Sequence, residues 1–262
     1  MFGAALGDIV GSKYEFSPIK RKDFEFLSYD MDFTDDTIMT VAVLEALAKS
    51  DINNEEETKK NLVTSMKKWG EKYPYPTGGY GGMFFRWLNS SSSEPYNSWG
   101  NGSAMRVSAA GFLYDTMEET RKAARLSAEV THNHPEGIKG AEATASAIFL
   151  ARKGESKEGI KSYITKEFGY DLDRKLSDIR KTYTFDGSCQ GTVPESIICF
   201  LEGTDTKDTI RNAISLGGDA DTMGAIAGSI AEAFWKEDLS PLVYTYLTRD
   251  IYSILDSVKI KA

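Results

Sequence analysis

Two groups of acidic residues, far apart in the sequence, each open a segment that looks built for burial. The first group precedes an apolar run, and the second precedes a run of small residues. The groups consist of Thr34, Asp35 and Asp36, and of Asp219, Asp221 and Thr222. Buried carboxylates are costly in free energy unless positive charge or hydrogen-bond donors meet them. Taken singly, each group is also typical of a helix N-terminus, where acids cap free N–H groups.

A fifth carboxylate, Glu15, follows a glycine-punctuated apolar start, with Asp8 seven residues before it. If Glu15 joined the four aspartates, one divalent cation would leave three negative charges and two would leave only one. The charge count therefore favours two cations. Carboxylate and hydroxyl oxygens suit hard ions such as Mg²⁺ or Mn²⁺, whereas zinc prefers Cys and His ligands that this chain does not offer at metal spacing.

The second acidic group opens a segment in which small side chains recur. They are Gly224, Ala225, Ala227, Gly228 and Ala231. Small side chains let a helix lie close to its neighbours. We therefore expect the N-terminus of this helix to lie inside the molecule, where its aspartates can meet those of the first group.

Helical periodicity dominates the chain, and the length lies at the upper end of what one core supports. We predict an all-α fold, a single compact orthogonal helical bundle formed by residues 1–262, with Pro135 and Pro194 in first turns. The only strand candidate is weak and covers residues 182–185. The predicted helices start after Thr34 and cover residues 103–113, 121–130, 135–152, 193–201, 206–214, 221–235 and 242–258.

Composition excludes several classes of protein. A formal net charge of −8 without a long basic run disfavours non-specific nucleic-acid binding. No apolar stretch reaches transmembrane length, and the start lacks the basic region of a signal peptide. Cys189 and Cys199 show no metal-binding spacing, which is typical of a reducing compartment. We expect a cytoplasmic protein, monomeric by default.

Five motifs occur in an order that resembles the ADP-ribosylglycohydrolases, the family of dinitrogenase-reductase-activating glycohydrolase and the ADP-ribosyl-acceptor hydrolases. They are GAALGDIVGSKYEF (3–16), FTDDT (33–37), GNGSAMR (100–106), THNHPEG (131–137) and GGDADT (217–222). The resemblance implies an all-α bundle with a two-metal cleft that usually holds magnesium or manganese. It implies metal ligation by Thr34, Asp35, Asp36, Asp219, Asp221 and Thr222, with Glu15 as a ligand or gate.

The resemblance also implies an ADP-ribose pocket lined by GNGSAMR and THNHPEG. The expected substrate-binding residues are Asn101, Gly102, Ser103, Met105, Arg106, His132, Gly137 and Gly218. For Arg106, a phosphate or inner acid and a structural salt bridge remain equally open as partners. His132 could fix the loop or contact the ligand; a metal pair with His134 is disfavoured. The aromatic that stacks on adenine remains open among Tyr75, Tyr80, Phe84 and Trp99.

The implied reaction is hydrolysis of the glycosidic bond at C1″ of ADP-ribose, with Asp36 or Glu15 completing proton transfer. The substrate would be an ADP-ribosylated protein or a small ADP-ribose conjugate, and the acceptor (arginine, serine, another side chain or a nucleic-acid end) stays open. Two alternatives are a two-metal phosphohydrolase that yields AMP and a non-catalytic relative that binds ADP-ribose. The intact acidic groups argue against the second.

Overall fold

The structure, a computed structural model, describes residues 1–257 and is built from helices. Within this range the only β-type pairings are two isolated bridges, Thr34–Thr77 and Gly100–Ser188. The all-α prediction is confirmed. The helices are α1 (Gly3–Ser12), α2 (Asp35–Leu47), α3 (Glu55–Lys72), α4 (Gly82–Leu88), α5 (Gly102–Met105), α6 (Ser108–Leu113), α7 (Met117–Glu129), α8 (Pro135–Arg152), α9 (Lys157–Phe168), α10 (Leu176–Thr182), α11 (Cys189–Glu202), α12 (Thr206–Ile214), α13 (Ala220–Trp235), α14 (Ser240–Val243) and α15 (Arg249–Ser257).

Four local predictions are wrong, and three of them concern the bounds of elements. The single helix over 103–113 is divided into α5 and α6 by a break after Met105, and the segment 242–258 contains a short helix, a turn and α15. The last predicted residue, Val258, lies outside the described residues. Residues 183–185 form no strand; they follow the end of α10 as irregular chain. Such short segments carry too few periodic positions for the pattern to locate their ends.

Pro194 lies inside α11 and not in its first turn, because the helix begins at Cys189. Ser188 caps this earlier start by accepting from the backbone N–H of Gly191. The missing N–H of a proline leaves the carbonyl four residues before it without a helical partner. That residue is Gln190, which is exposed, so water can satisfy the carbonyl. Pro135 does occupy the first turn of α8, as predicted.

Helices α1 and α13 form the centre of the molecule and cross with their backbones in contact. A Cβ placed on Gly7 would lie 1.9 Å from the carbonyl oxygen of Gly224. A Cβ on Gly3 would clash in the same way with Gly228, and one on Gly11 would clash with Ala220. The contacts therefore move toward the start of α13 as α1 proceeds, which means that the two helices run antiparallel. This register brings the start of α13 beside the end of α1. The prediction that α13 begins inside the molecule is confirmed.

We expect Gly7→Ala to lower the free energy of unfolding by about 3 kcal/mol or more, because the added methyl forces two backbones apart in a close-packed core. Urea unfolding followed by circular dichroism measures the change. Gly82→Ala is the matched control: its nearest foreign atom is the Nη1 of Arg86 at 3.9 Å, so its stability should stay within about 0.5 kcal/mol of wild type. Equal stability of the two variants would contradict the packing argument.

The buried apolar side chains form one continuous cluster that reaches from Met1 to Leu255. Both cysteines are buried and free. Among residues 1–257, no helix combines the length and the apolar character that a membrane crossing requires.

Candidate active site

Asp8 ties α1 to the start of α2 and is fully buried. Its carboxylate accepts hydrogen bonds from the backbone N–H of Thr34 at 2.9 Å and from the Thr34 hydroxyl at 2.7 Å. It also accepts from the N–H of Thr37 at 3.1 Å and from the hydroxyl of the same residue. Four donors on one carboxylate fix the first acidic group against α1. Asp8 therefore belongs to the candidate site, although it was not predicted as a ligand.

Carboxylates from three regions of the chain converge in two triads. In each triad, one oxygen from every carboxylate lies within 4.8 Å of the others. The first triad joins Asp8, Asp36 and Asp221, and the second joins Glu15, Asp219 and Asp221. Asp221 is common to both. The structure thus brings together the two acidic groups that the sequence separates by nearly two hundred residues.

The remaining predicted ligands lie beside these triads. Asp35 lines the same cleft and is half-buried. The Thr222 hydroxyl donates to Oδ2 of Asp36 at 3.4 Å. The Thr34 hydroxyl accepts from the N–H of Asp36 at 3.2 Å and so caps α2, as predicted. Asp219 precedes α13 without capping it, because its carboxylate accepts from the Asn101 amide instead.

Burial and mutual repulsion raise the pKa values of these carboxyl groups. Burial is the main cause throughout, and it raises the pKa of Asp8 and of Asp219 to about 6. Burial, followed by the charge of Asp221, raises the pKa of Glu15 to about 8. The pKa values of Asp35, Asp36 and Asp221 are raised well above their usual range by the same causes. Without cations, the cluster holds protons at neutral pH.

Two observations on the described residues indicate that these carboxylates can hold divalent cations. The Oδ1 atom of Asp36 is buried and has no hydrogen-bond partner, which is an acceptor left free for a ligand. The two triads contain only carboxylate oxygens, which suit Mg²⁺ or Mn²⁺. An uncompensated cluster of this kind is costly, and bound cations would remove both the repulsion and the unsatisfied acceptor.

A cleft of about 300 Å³ is lined by the carboxylates together with Arg106, His132 and the GNG segment, residues 100–102. The GNG segment contacts the carboxylates directly, because the Asn101 amide donates to Asp219. Of the predicted residues, those that line the cleft are Glu15, Asp35, Asp36, Asn101, Gly102, Met105, Arg106, His132, Asp219, Asp221 and Thr222. The cleft therefore presents both acidic and basic groups to a molecule that binds in it.

Three of the predicted substrate-binding residues pack behind the wall of the cleft. The Ser103 hydroxyl donates to the carbonyl of Gly137 at 2.7 Å and so joins α5 to α8. A Cβ on Gly137 would lie 2.7 Å from the carbonyl oxygen of Ser98, and one on Gly218 would lie 2.3 Å from the Tyr183 ring. These three positions contribute close packing beside the cleft, and their contact with substrate stays a prediction.

Asn101 donates hydrogen bonds through its side-chain amide, and one of its acceptors is Asp219, a predicted metal ligand. Its Nδ2 donates to Oδ2 of Asp219 at 2.7 Å and to the Thr192 hydroxyl at 3.1 Å. Both amide protons are therefore used inside the protein. Asn101 orients Asp219 from the start of α5, which is too short to offer a strong helix dipole.

Arg106 is fully buried and makes no ion pair with the carboxylates of residues 1–257, so the salt-bridge alternative is wrong. Its Nη2 donates to the carbonyl of Ser127 at 3.1 Å and to the Thr131 hydroxyl at 2.7 Å. The ring of Phe84 lies 5.5 Å from the guanidinium carbon. The Nε and Nη1 atoms lack partners among the described residues. Burial lowers the pKa of Arg106 to about 10, which keeps it charged at neutral pH.

The aromatic side chains around the cleft divide into covered and exposed ones. Phe84 is buried against Arg106, and Tyr80 is held by a hydrogen bond to the Tyr73 carbonyl. Phe185, which the sequence did not single out, lines the cleft with 58% of its surface exposed, and Trp99 is 51% exposed. Their segments are paired, since the Gly100–Ser188 bridge joins them. Of the four predicted aromatics, Phe84 is among the cleft-lining residues, whereas Tyr80, Trp99 and Tyr75, which is 86% exposed, are not.

The all-α bundle places two carboxylate triads beside a cleft that is lined by a buried arginine. The sequence profile of the family ADP-ribosylglycohydrolase matches residues 1–242, so the chain belongs to this family. Members of the family are glycosidases that act on ADP-ribosyl groups, and this chain is an enzyme of that class.

Relatives in several organisms carry related names. The chain is 27% identical to the human ADP-ribosylhydrolase ARH3, covering 91% of this chain and 85% of that protein. It is 22% identical to the ADP-ribosylarginine hydrolase Tri1 of Pseudomonas putida (strain GB-1), covering 90% of this chain and 69% of that protein. A solved structure titled ADP-ribosylglycohydrolase-related protein complex shares the fold, with a TM-score of 0.72, 23% identity and coverage of 97% and 93%.

Proposed function

We propose that this protein hydrolyses the glycosidic bond at C1″ of ADP-ribose with the help of two divalent cations, and so releases ADP-ribose from a modified acceptor. The observation that carries the proposal is the sharing of Asp221 between two carboxylate triads at the cleft. Two adjacent sets of oxygen ligands with a common member are the usual arrangement of a two-metal centre.

Two Mg²⁺ or Mn²⁺ ions would be held by the triads, with further oxygens from the side chains beside them. The proposed ligands are Asp8, Glu15, Thr34, Asp35, Asp36, Asp219, Asp221 and Thr222. Bound cations supply positive charge that orients ribose hydroxyls and acidifies water. Asn101 holds one of these carboxylates in place through its 2.7 Å hydrogen bond to Asp219.

The other residues that line the cleft would bind the rest of the ADP-ribosyl group. Arg106 places a buried positive charge near the cleft, and the Gly102 backbone allows a ligand close approach. Trp99 and Phe185 offer exposed ring faces on paired segments, which suits stacking on adenine. The sugar at C1″ would then lie between this binding region and the carboxylates.

Proton transfer to the leaving acceptor or from water falls to Glu15 in this proposal. Glu15 is only partly buried, whereas Asp36 is buried with one oxygen inside the first triad. Burial and the charge of Asp221 raise the pKa of Glu15 to about 8 in the cation-free protein. Bound cations would lower this pKa, so Glu15 would act as a carboxylate that accepts a proton from the attacking water.

We expect Glu15→Gln to lower kcat by about 10²-fold, because the amide keeps the shape but cannot accept a proton. Binding of Mn²⁺ should weaken less than in Asp36→Asn, which loses a member of the other triad. Steady-state kinetics with saturating Mn²⁺, together with calorimetric titration of the metal, measure both effects. A Glu15→Gln enzyme with the kcat of wild type would remove Glu15 from proton transfer and leave Asp36 as the alternative.

The test of the reaction compares peptides ADP-ribosylated on arginine with peptides ADP-ribosylated on serine, each with Mg²⁺, with Mn²⁺ and with EDTA. Mass spectrometry and chromatography of the small-molecule product should show intact ADP-ribose, formed only when a cation is present. AMP as the product would instead support a two-metal phosphohydrolase. Absence of any product with either linkage and either cation would contradict the proposal, and the preferred peptide identifies the acceptor.

We also propose that residues 1–262 act as one monomeric domain in the cytoplasm. The continuous core and the two free buried cysteines support this. Size-exclusion chromatography with light scattering should give the mass of one chain, 29.0 kDa.

A further inference from the structure

A chain of hydrogen bonds leads from Arg106 to His132 at the wall of the cleft. Nη2 of Arg106 lies 2.7 Å from the Thr131 hydroxyl oxygen, and this oxygen lies 2.8 Å from Nδ1 of His132. All three side chains are buried. The ring of Tyr96 lies 5.7 Å from the His132 ring, centroid to centroid, and its own hydroxyl has no hydrogen-bond partner among the described residues.

The direction of the protons in this chain follows from the chemistry of the groups. A guanidinium can only donate, so the Thr131 oxygen accepts from Arg106. The hydroxyl proton of Thr131 is then free to be donated, and Nδ1 of His132, 2.8 Å away, can accept it. An imidazole that accepts at Nδ1 carries its proton at Nε2 when it is neutral.

The other ring nitrogen of His132 faces the GNG segment. A Cβ on Gly102 would lie 3.1 Å from Nε2, and one on Gly100 would lie 3.5 Å from it. Within residues 1–257, Nε2 has no hydrogen-bond partner, and His132 lines the cleft. Nε2 is therefore available to a molecule that binds in the cleft.

We propose that Arg106 and Thr131 are positioning residues that hold His132 as its neutral Nε2–H tautomer, so that the imidazole donates a hydrogen bond to an oxygen of the bound ADP-ribosyl group. The identity of the ligand rests on the proposed function, whereas the tautomer does not. Burial and the nearby positive charge of Arg106 also lower the pKa of His132 well below its usual range. A ring held neutral in this way is a fixed donor and takes no part in proton transfer at the sugar.

The tautomer can be measured directly on the full-length protein labelled with ¹⁵N in histidine. Long-range ¹H–¹⁵N correlation spectra at pH 7 distinguish the Nε2–H form, the Nδ1–H form and the imidazolium. The chain has two histidines, and His134→Asn assigns the signals while keeping a good N-cap for α8. We expect His132 in the Nε2–H form; the Nδ1–H form or the imidazolium in the wild-type protein would overturn the proposal.

Thr131→Val removes the hydroxyl at nearly constant shape, and Thr131→Ser is the matched variant that keeps it. We expect Thr131→Val to give mixed His132 tautomers and to weaken binding of ADP-ribose by about five- to tenfold, as loss of one hydrogen bond does. Thr131→Ser should restore both properties. Calorimetric titration with ADP-ribose measures the affinity, and circular dichroism checks that each variant is folded.

An unchanged tautomer in folded Thr131→Val would overturn the positioning role, and a changed tautomer with unchanged affinity would overturn the donor role. A failure of the proposed reaction can be distinguished from a failure of this proposal. If the wild-type protein binds ADP-ribose with His132 in the Nε2–H form but releases no ADP-ribose from modified peptides, the proposed hydrolysis is contradicted and the tautomer is not.

Discussion

Asp221→Asn should abolish hydrolysis, with a loss of rate that exceeds the roughly 10²–10³-fold attributed to a single transition-state hydrogen bond. Asp221 is the only residue of the described chain that belongs to both carboxylate triads. An asparagine of the same size lowers the negative charge available to both proposed cations at once. Initial rates with an ADP-ribosylated peptide, at saturating Mn²⁺, measure the loss, and metal content by atomic spectroscopy should fall with it.

The matched control is Asp23→Asn, which removes an equal charge from a side chain that is 82% exposed and pairs only with Arg21. This variant should keep the wild-type rate and metal content. An Asp221→Asn enzyme with both cations bound and a rate within tenfold of wild type would contradict the assignment of Asp221 to a shared centre. Because α13 begins at the previous residue, circular dichroism must show that the helical content is retained.

The stability of the metal-free protein should fall as the pH rises from about 4 to about 8. Unfolded carboxyl groups titrate near pH 4, whereas the folded pKa values are about 6 for Asp8 and Asp219 and about 8 for Glu15. Between these limits the folded state binds more protons than the unfolded state, so deprotonation favours unfolding. The part of the destabilisation that Asp8, Asp219 and Glu15 contribute is absent below pH 4 and complete above pH 8.

We expect the melting temperature of the EDTA-treated protein to drop by at least about 5 °C across this range, and saturating Mg²⁺ or Mn²⁺ at pH 8 to reverse the drop. Asp36→Asn should melt higher than wild type at pH 8 without cations, because it removes one repelling charge from the cluster. Differential scanning calorimetry at pH 5 and pH 8 measures each change. A metal-free protein that gains stability with pH would show that the carboxylates do not repel each other.

Sequence patterns located several of the longer helices, because these carry many periodic positions, but they missed α3, which has 18 residues, and α9. Helices α8 and α12 begin and end where the periodicity predicts. The N-cap of α2 was also predictable, since Thr34 with acids in the first turn is a local signal. Helix α1 was not predicted as a helix, because its glycines are poor helix formers on their own. Those glycines are explained only by the contact with α13.

The predicted carboxylates converge, but two features of the site depend on contacts that spacing does not encode. Asp8 was noticed only for its distance from Glu15 along the chain, and its role depends on four donors from Thr34 and Thr37. Asn101 looked like a ligand contact but points its amide at Asp219. A glycine-rich apolar helix that contains one aspartate is the signal that could have singled out Asp8, since a buried lone carboxylate needs partners.

The proposed reaction requires that both acidic groups bind one pair of cations. Crystals grown with Mn²⁺ and measured near the manganese absorption edge locate such ions directly through anomalous scattering. We predict two anomalous peaks in the cleft, each in contact with Asp221, with Asp36 at one and Asp219 at the other. The central claim would be contradicted if the anomalous map showed fully occupied Mn²⁺ ions at other positions in the crystal but no peak between the two aspartate groups.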